Sequence, residues 1–197
     1  PAKLLHRHVP RGVDLRSGND PAGAVLVPHP YVLHADVEER VARLGEHFAV
    51  VGMGPRLLVV DLSQPQAPRW LGLGPVLGGL VQAVAVQGDR AYVALGKGGL
   101  ATLDLSRPEA PTLLSELSLG ADGGCANGWA QDLAIHDGRL FVAVSRGGLS
   151  EFSLRDPDAP AALGCVAIGT GAYDGRRLQI HGPKAIAFLT DAEDRGV

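Results

Sequence analysis

Cysteine is almost missing from this chain. Cys125 and Cys165 are its only two, too few for a disulfide-built scaffold and without the C-x-x-C spacing of a zinc site. A basic surplus is missing too: 18 Lys and Arg stand against 21 Asp and Glu, a formal net charge of -3. Nucleic-acid binders gather cations on one face to replace phosphate counterions, so no nucleic-acid partner is expected. No apolar run approaches the roughly 20 residues that cross a bilayer, because LVQAVAVQG is broken by glutamine and glycine. No transmembrane segment is expected. The chain opens at Pro1 without a basic and apolar leader, which points to a piece of a longer protein. The motifs G-x-S-x-G, H-E-x-x-H and the Walker lysine are all missing, so the sequence nominates no catalytic residue, no metal site and no cofactor.

What is present is a repeat. Apolar residues make up 46% of the chain and charged residues 20%, ordinary values for one globular domain with a real core. Four two-residue turn candidates stand between apolar segments: Gly45-Glu46, Gly88-Asp89, Asp137-Gly138 and Gly182-Pro183, spaced 43, 49 and 45 residues apart. Such pairs suit the primed turns that match the twist of antiparallel strands, so each marks a hairpin between a strand a and a strand b. After the first three hairpins come RLLVVDLSQPQAP, GLATLDLSRPEAP and GLSEFSLRDPDAP, then RWLGLGPV, TLLSELSL and AALGCVAI. These are strands c and d. Four short strands per unit in the mid-forties, with no convincing helical period, form the pattern of a β-propeller blade. The prolines belong in the c-d turns, since proline has no N-H to give a central strand. Ala83, Ala85 and Ala134 in strand a suit the narrow inner end of a blade.

The stretches AYVALGKGGLATLDLSRPEAP, AVVGMGPRLLVVDLSQPQAP and LFVAVSRGGLSEFSLRDPDAP resemble the LVIVD-repeat family of bacterial and archaeal surface propellers. Two departures stand out: Ser153 takes the place of the strand c aspartate, and Met53-Gly54-Pro55 replaces the glycine-rich b-c loop. The resemblance implies an exported, extracellular or cell-surface propeller whose role is not enzymatic. An oxidising setting in turn suggests a disulfide between Cys125 and Cys165.

The expected fold is all-β: three full blades, about 38–79, 80–121 and 129–170, with half blades at 1–37 and 175–197, in a single propeller domain or propeller fragment over 1–197. VDLRSGNDPAGAVLV near the start matches strands c and d, with Asp14 aligned to Asp61 and Asp104, while the end supplies strands a and b. Two readings follow: a fragment of a larger propeller, which is favoured, or a four-bladed ring closed by its two termini.

Scaffold recurs in every unit, whereas a site need appear only once. By that comparison Asp61 and Asp104, both in D-L-S-x-P-x-x-P, are turn residues that satisfy backbone N-H groups. His136 and His181 share one position beside the a-b turn and read as turn residues rather than a metal pair. The run GLGPVLGG at 72–79 is followed by a strand, not the helix a phosphate loop requires. His29–Asp36 lacks the spacing of a metal site, and Asp191, Glu193 and Asp194 lack a calcium pattern. What does not repeat is the long d-a connection from Gly120 to Gln131, with Asp122, Cys125 and Trp129. Strand a opens with Glu39, Gln82, Gln131 and Arg176 at one aligned position and Arg40, Ala83, Asp132 and Arg177 at the next. These residues are expected to ring the channel mouth, with Lys97 and Arg146 on its rim. The functional expectation is a non-enzymatic module that binds a protein or glycan partner through the loops of this face. The alternatives are a hydrolase- or lyase-type enzyme with its site at the channel mouth, and a structural spacer.

Overall fold

The third strands of the first two units, RLLVVD and LATLD, carry apolar or small residues on both faces, and such a strand is stable only with a layer packed on either side. The computed structural model describes residues 40–119, 128–145, 148–166, 173–181 and 184–191 and supplies those layers as consecutive sheets. The first sheet holds β1 (Val41–Leu44), β2 (Phe48–Met53), β3 (Arg56–Asp61) and β4 (Arg69–Leu73). The second holds β5 (Ala83–Gln87), β6 (Arg90–Ala94), β7 (Leu100–Asp104) and β8 (Thr112–Leu117). The third holds β9 (Trp129–His136), β10 (Arg139–Ser145), β11 (Gly148–Ser153) and β12 (Ala161–Val166). Strands β13 (Tyr173–His181) and β14 (Lys184–Asp191) pair as a fourth, two-stranded sheet. Every sheet is an antiparallel meander in chain order. No α-helix occurs among the described residues. The innermost strands β1, β5, β9 and β13 pack each beside the next, as the blades of a propeller do.

The a-b turns are built as their residues dictate, with one correction. Gln87 pairs with Arg90 around Gly88-Asp89, where Gly88 takes a φ of 58° and lets the hairpin reverse in two residues. His136 pairs with Arg139 around Asp137-Gly138, and both turn residues have positive φ (47° and 69°). In the first sheet Leu44 pairs with Phe48, so the turn is the three-residue Gly45–His47 rather than Gly45-Glu46 alone. Gly182-Pro183 lies outside the described residues, as does the half blade expected at 1–37.

Each c-d turn is pinned to the a-b turn beside it by a repeated hydrogen bond. The N-H of Leu62 donates to His47 O (2.6 Å), that of Leu105 to Asp89 O (2.8 Å) and that of Leu154 to Gly138 O (2.9 Å). The side chain ending strand c caps the same turn. Asp61 accepts from the N-H of Ser63 and Asp104 from that of Ser106, both at 2.8 Å, and Ser153 performs the same task with Arg155 at 3.3 Å. The serine therefore preserves the geometry while dropping the charge. A further repeated feature was not visible in the sequence. Each c-d pairing slips by one residue at the same place, leaving Leu71, Leu114 and Leu163 as the extra residue of strand d.

Two apolar layers hold the sheets together. Between the first and second, Val50, Leu57 and Val59 meet Ala91, Val93, Leu103 and Leu105, all buried. Between the second and third, Tyr92, Ala94 and Leu100 meet Leu140, Val142 and Phe152. Each such large side chain contributes about 1.5–3 kcal/mol by leaving water. The forward face of the third sheet is more open: Phe141 and Leu149 are half-buried and Leu163 is 54% exposed, whereas Tyr92 and Leu100 at the matching positions of the second sheet are covered.

Candidate partner-binding face

Strand a of each sheet starts on the edge that carries the b-c loops and the d-a connections, opposite the a-b turns. Glycines let the connection between the first and second sheets press flat there. A Cβ at Gly79 would sit 2.3 Å from Leu95 O, and one at Gly98 would sit 2.9 Å from the Gly78 carbonyl. Backbone therefore packs on backbone, and the glycine-rich run at 72–79 serves close approach rather than a phosphate. The segment is further fixed by Leu77 N-H to Pro55 O and Val81 N-H to Gly54 O, both 2.8 Å. With its main chain held down, Leu77 and Val81 point into the core while two of its side chains turn outward: Val76 is 60% and Leu80 61% exposed.

The next loop along the same face, Leu95–Gly99, carries Lys97. Gly96 takes a φ of 60° and forms a two-way bridge with Ala130, N-H to O at 3.0 Å in each direction. That bridge ties the second sheet's b-c loop to the start of β9. It brings together a residue expected on the rim and one expected in the long d-a connection: the Lys97 Nζ stands 4.9 Å from the centroid of the Trp129 ring. An exposed cation over an aromatic face is worth about 0.5–1 kcal/mol, enough to restrain the indole without burying it. Trp129 remains 47% exposed. It is the first residue of β9 rather than part of a free loop.

Asp132 is a correction. Expected at the channel mouth facing a ligand, it is buried, at 8% exposure. Its carboxylate accepts from the N-H of Leu133 (2.7 Å) and from that of Leu178 on β13 (2.6 Å). It is a bracket between the third and fourth sheets, where an anion receiving two backbone donors offsets its own desolvation. The cause is a bulge: pairing between β9 and β10 slips at Ala143/Val144, leaving Gln131 as the extra residue and re-aiming the one that follows. Arg176 stands at the same bulge position in β13, between Gly175 and Arg177. The aligned positions read from the sequence thus mark a structural irregularity of strand a.

Arg40 precedes β1 and is half-buried, with its Nε enclosed and without a hydrogen-bond partner. Glu39, Asp122, Arg146 and Cys125 lie outside the described residues. So do His29–Asp36, Glu193 and Asp194. Cys165, on β12, is disulfide-bonded. His136 sits at the end of β9 with its Nε2 3.3 Å from the carboxylate of Asp137. Among the described residues no group of histidine, cysteine and carboxylate side chains could hold a metal ion, and no helix is long and apolar enough to cross a membrane.

On the opposite edge the aspartates that end strand c serve as turn caps. Backbone and hydroxyl hydrogen bonds from Ser63, then Arg69 at 3.0 Å, hold Asp61 down to about 2. The N-H and hydroxyl of Ser106, with help from Arg90, hold Asp104 below the usual carboxylate range.

Residues 78–117 match the LVIVD repeat. They run from the end of the first d-a connection through β8. No curated protein matches the chain by sequence. Among solved structures, BamB from Moraxella catarrhalis is similar over 76% of this chain and 42% of its own, with a TM-score of 0.56 and 13% identity. The periplasmic gluconolactonase of Pseudomonas aeruginosa is similar over 87% of this chain and 55% of its own, with a TM-score of 0.60 and 13% identity. The chain thus spans about half the length of these proteins or less. At such identity the likeness is one of fold, and the two names differ in kind, so fold does not choose between them. Three four-stranded antiparallel sheets, innermost strands side by side, and the match in the second sheet together make this chain a β-propeller carrying the LVIVD repeat.

Proposed function

We propose that this propeller is a non-enzymatic binding module of the cell envelope or exterior, and that it takes a protein or glycan partner on the face formed by the b-c loops and d-a connections. The observation that carries this reading is Trp129, half-exposed on a rigid strand end and steadied by Lys97. Exposed tryptophans on rigid supports are the residues that dominate binding energies. Val76 and Leu80 extend the apolar surface of the same face. The d-a and b-c loops differ from sheet to sheet, while the a-b and c-d turns repeat, so recognition falls to the face that varies.

An oxidising compartment is supported by the disulfide at Cys165 and by the periplasmic setting named for one of the structural neighbours. The same reading takes Cys125 as the partner of Cys165, tethering the long d-a connection to strand d of the sheet it precedes. Thiol labelling of the non-reduced protein checks the pairing: no reaction at either cysteine is expected, and labelling of both contradicts it. The function is tested by probing glycan arrays and envelope proteins with the wild type and Trp129→Ala side by side. A partner bound by the wild type and lost in the variant supports the proposal. Binding that persists in the variant, or that protects the a-b turn edge in hydrogen exchange, contradicts it.

A further inference from the structure

The face bearing the a-b turns holds a site of its own, revealed by comparing the two sheet contacts position by position. Strand b opens opposite the last residue of strand c: Phe48 pairs with Asp61 in the first sheet and Arg90 with Asp104 in the second. Phe48 and Arg90 are therefore the same position. At the contact between the second and third sheets, the Arg90 guanidinium reaches Asp104 Oδ1 at 2.9 Å and also bonds Asp158 in the next sheet's c-d turn. Tyr92 fills the space behind it and donates its hydroxyl to Pro157 O at 3.1 Å. A cation with an aromatic neighbour thus plugs this edge of the contact.

At the contact between the first and second sheets the plug is missing. Phe48 stands where Arg90 would and Val50 where Tyr92 would. Glu109, in SRPEAP, takes the place that Asp158 holds in RDPDAP. What remains is an open cleft of about 1020 Å³, with Phe48, Leu71 and Leu105 among its apolar residues and Asp89 and Glu109 among its acids. Arg43 also lines it, and with Asp61 committed to Arg69 and Ser63 the acids left are Asp89 and Glu109, two carboxylates against that one cation. Among the described residues no hydrogen bond or ion pair holds the Glu109 carboxylate. Its backbone is nonetheless fixed, because a Cβ at Gly72 would meet Pro108 O at 2.2 Å and the Glu109 carbonyl carbon at 2.6 Å.

We propose that this cleft is a seat for a guanidinium or alkylammonium group on an apolar stem, its charge on Glu109 and its stem against Phe48, Leu71 and Leu105. The molecule shows the matching chemistry one sheet along, where the equivalent carboxylate holds Arg90. A cation next to an aromatic ring gains further from the ring's negative face. The seat is independent of the partner-binding face, which lies on the opposite edge.

Titration of the whole chain with butylguanidinium, its neutral isostere butylurea, and a capped arginine peptide tests this, with backbone amide shifts as the readout. The expected result is saturable movement at Phe48, Leu105 and Glu109 with both guanidinium probes and none with butylurea. Tighter binding of the capped arginine than of butylguanidinium assigns the seat to a peptide side chain, and the reverse assigns it to a free small cation. Glu109→Gln, at an exposed turn, should weaken binding at least fivefold. Phe48→Arg should abolish it by supplying the guanidinium from the chain itself. Equal binding of butylurea, unchanged affinity in Glu109→Gln, or no saturable shift with either guanidinium probe in the folded protein overturns the proposal.

Discussion

The contact between the first and second sheets and the contact between the second and third are made from the same strands in the same registers, yet only one is filled to its edge. In the latter, Tyr92, Arg90 and Ser115 all reach across, Ser115 through a hydrogen bond from its hydroxyl to Asp158 O at 2.9 Å. In the former the matching residues are Val50, Phe48 and Gly72, none of which has a side-chain group that could hydrogen-bond across. The difference shows that this repeat specifies its core and its turns but leaves the rim of each contact free to vary. Both central layers are apolar. Variation at the rim then decides whether the chain closes a gap with its own arginine or leaves an open cleft.

Substitutions at matched positions put that contrast to the test. The largest effect is expected from Tyr92→Ala, which empties a fully buried site and removes a cross-sheet hydrogen bond, costing about 4 kcal/mol in urea unfolding. A loss below about 1 kcal/mol would mean the two contacts do not differ as described. Gly72→Ser comes next. It adds side-chain atoms where the Pro108-Glu109 backbone lies in contact, and overpacking should cost about 2 kcal/mol. The converse change, Ser115→Ala, loses only a hydrogen bond, about 1 kcal/mol. Equal effects at these two matched positions would contradict the closer approach in the first contact.

The smallest effect concerns pH and the turns common to both contacts. Asp61 and Asp104 are held below the usual carboxylate value of about 3.9. Their contribution is therefore fully present above pH 4 and is lost as pH falls toward about 2, the value for Asp61. Asp61→Asn and Asp104→Asn should flatten the acid limb of stability against pH. Ser153, which caps the third turn with a hydroxyl in place of the aspartate, has no carboxylate of its own to add to that slope. A limb unchanged in the double variant would contradict the assignment.

How much of this was legible in the sequence follows from which features are local. Gly88-Asp89 and Asp137-Gly138 announce their hairpins because only residues tolerant of positive φ fit there, and D-L-S-x-P-x-x-P announces its turn by its own chemistry. The sequence put Trp129 in the long d-a connection and Lys97 on the rim of the channel mouth, and the bridge between Gly96 and Ala130 is what sets the two side by side. Asp132 was not legible. Whether it faces a channel or a neighbouring strand depends on a one-residue bulge at Gln131, and no residue there signals one. The exposure of Val76 and Leu80 was hidden for a similar reason: glycines that press a backbone flat do not say which side chains then point outward. The cleft at Phe48 was present in the alignment of units all along, as phenylalanine where the next two sheets have Arg90 and Arg139. Its meaning required knowing what Arg90 touches.

The proposal that the protein or glycan partner binds the variable face stands apart from the cation seat on the opposite edge. It is tested most directly by measuring the affinity of a bound protein or glycan for Trp129→Ala and for Glu46→Ala, a matched truncation in an exposed a-b turn. Trp129→Ala is expected to lose about 2 kcal/mol of affinity, roughly thirtyfold, with unfolding nearly unchanged, and Glu46→Ala to lose none. Full affinity in Trp129→Ala together with a loss in Glu46→Ala would contradict it.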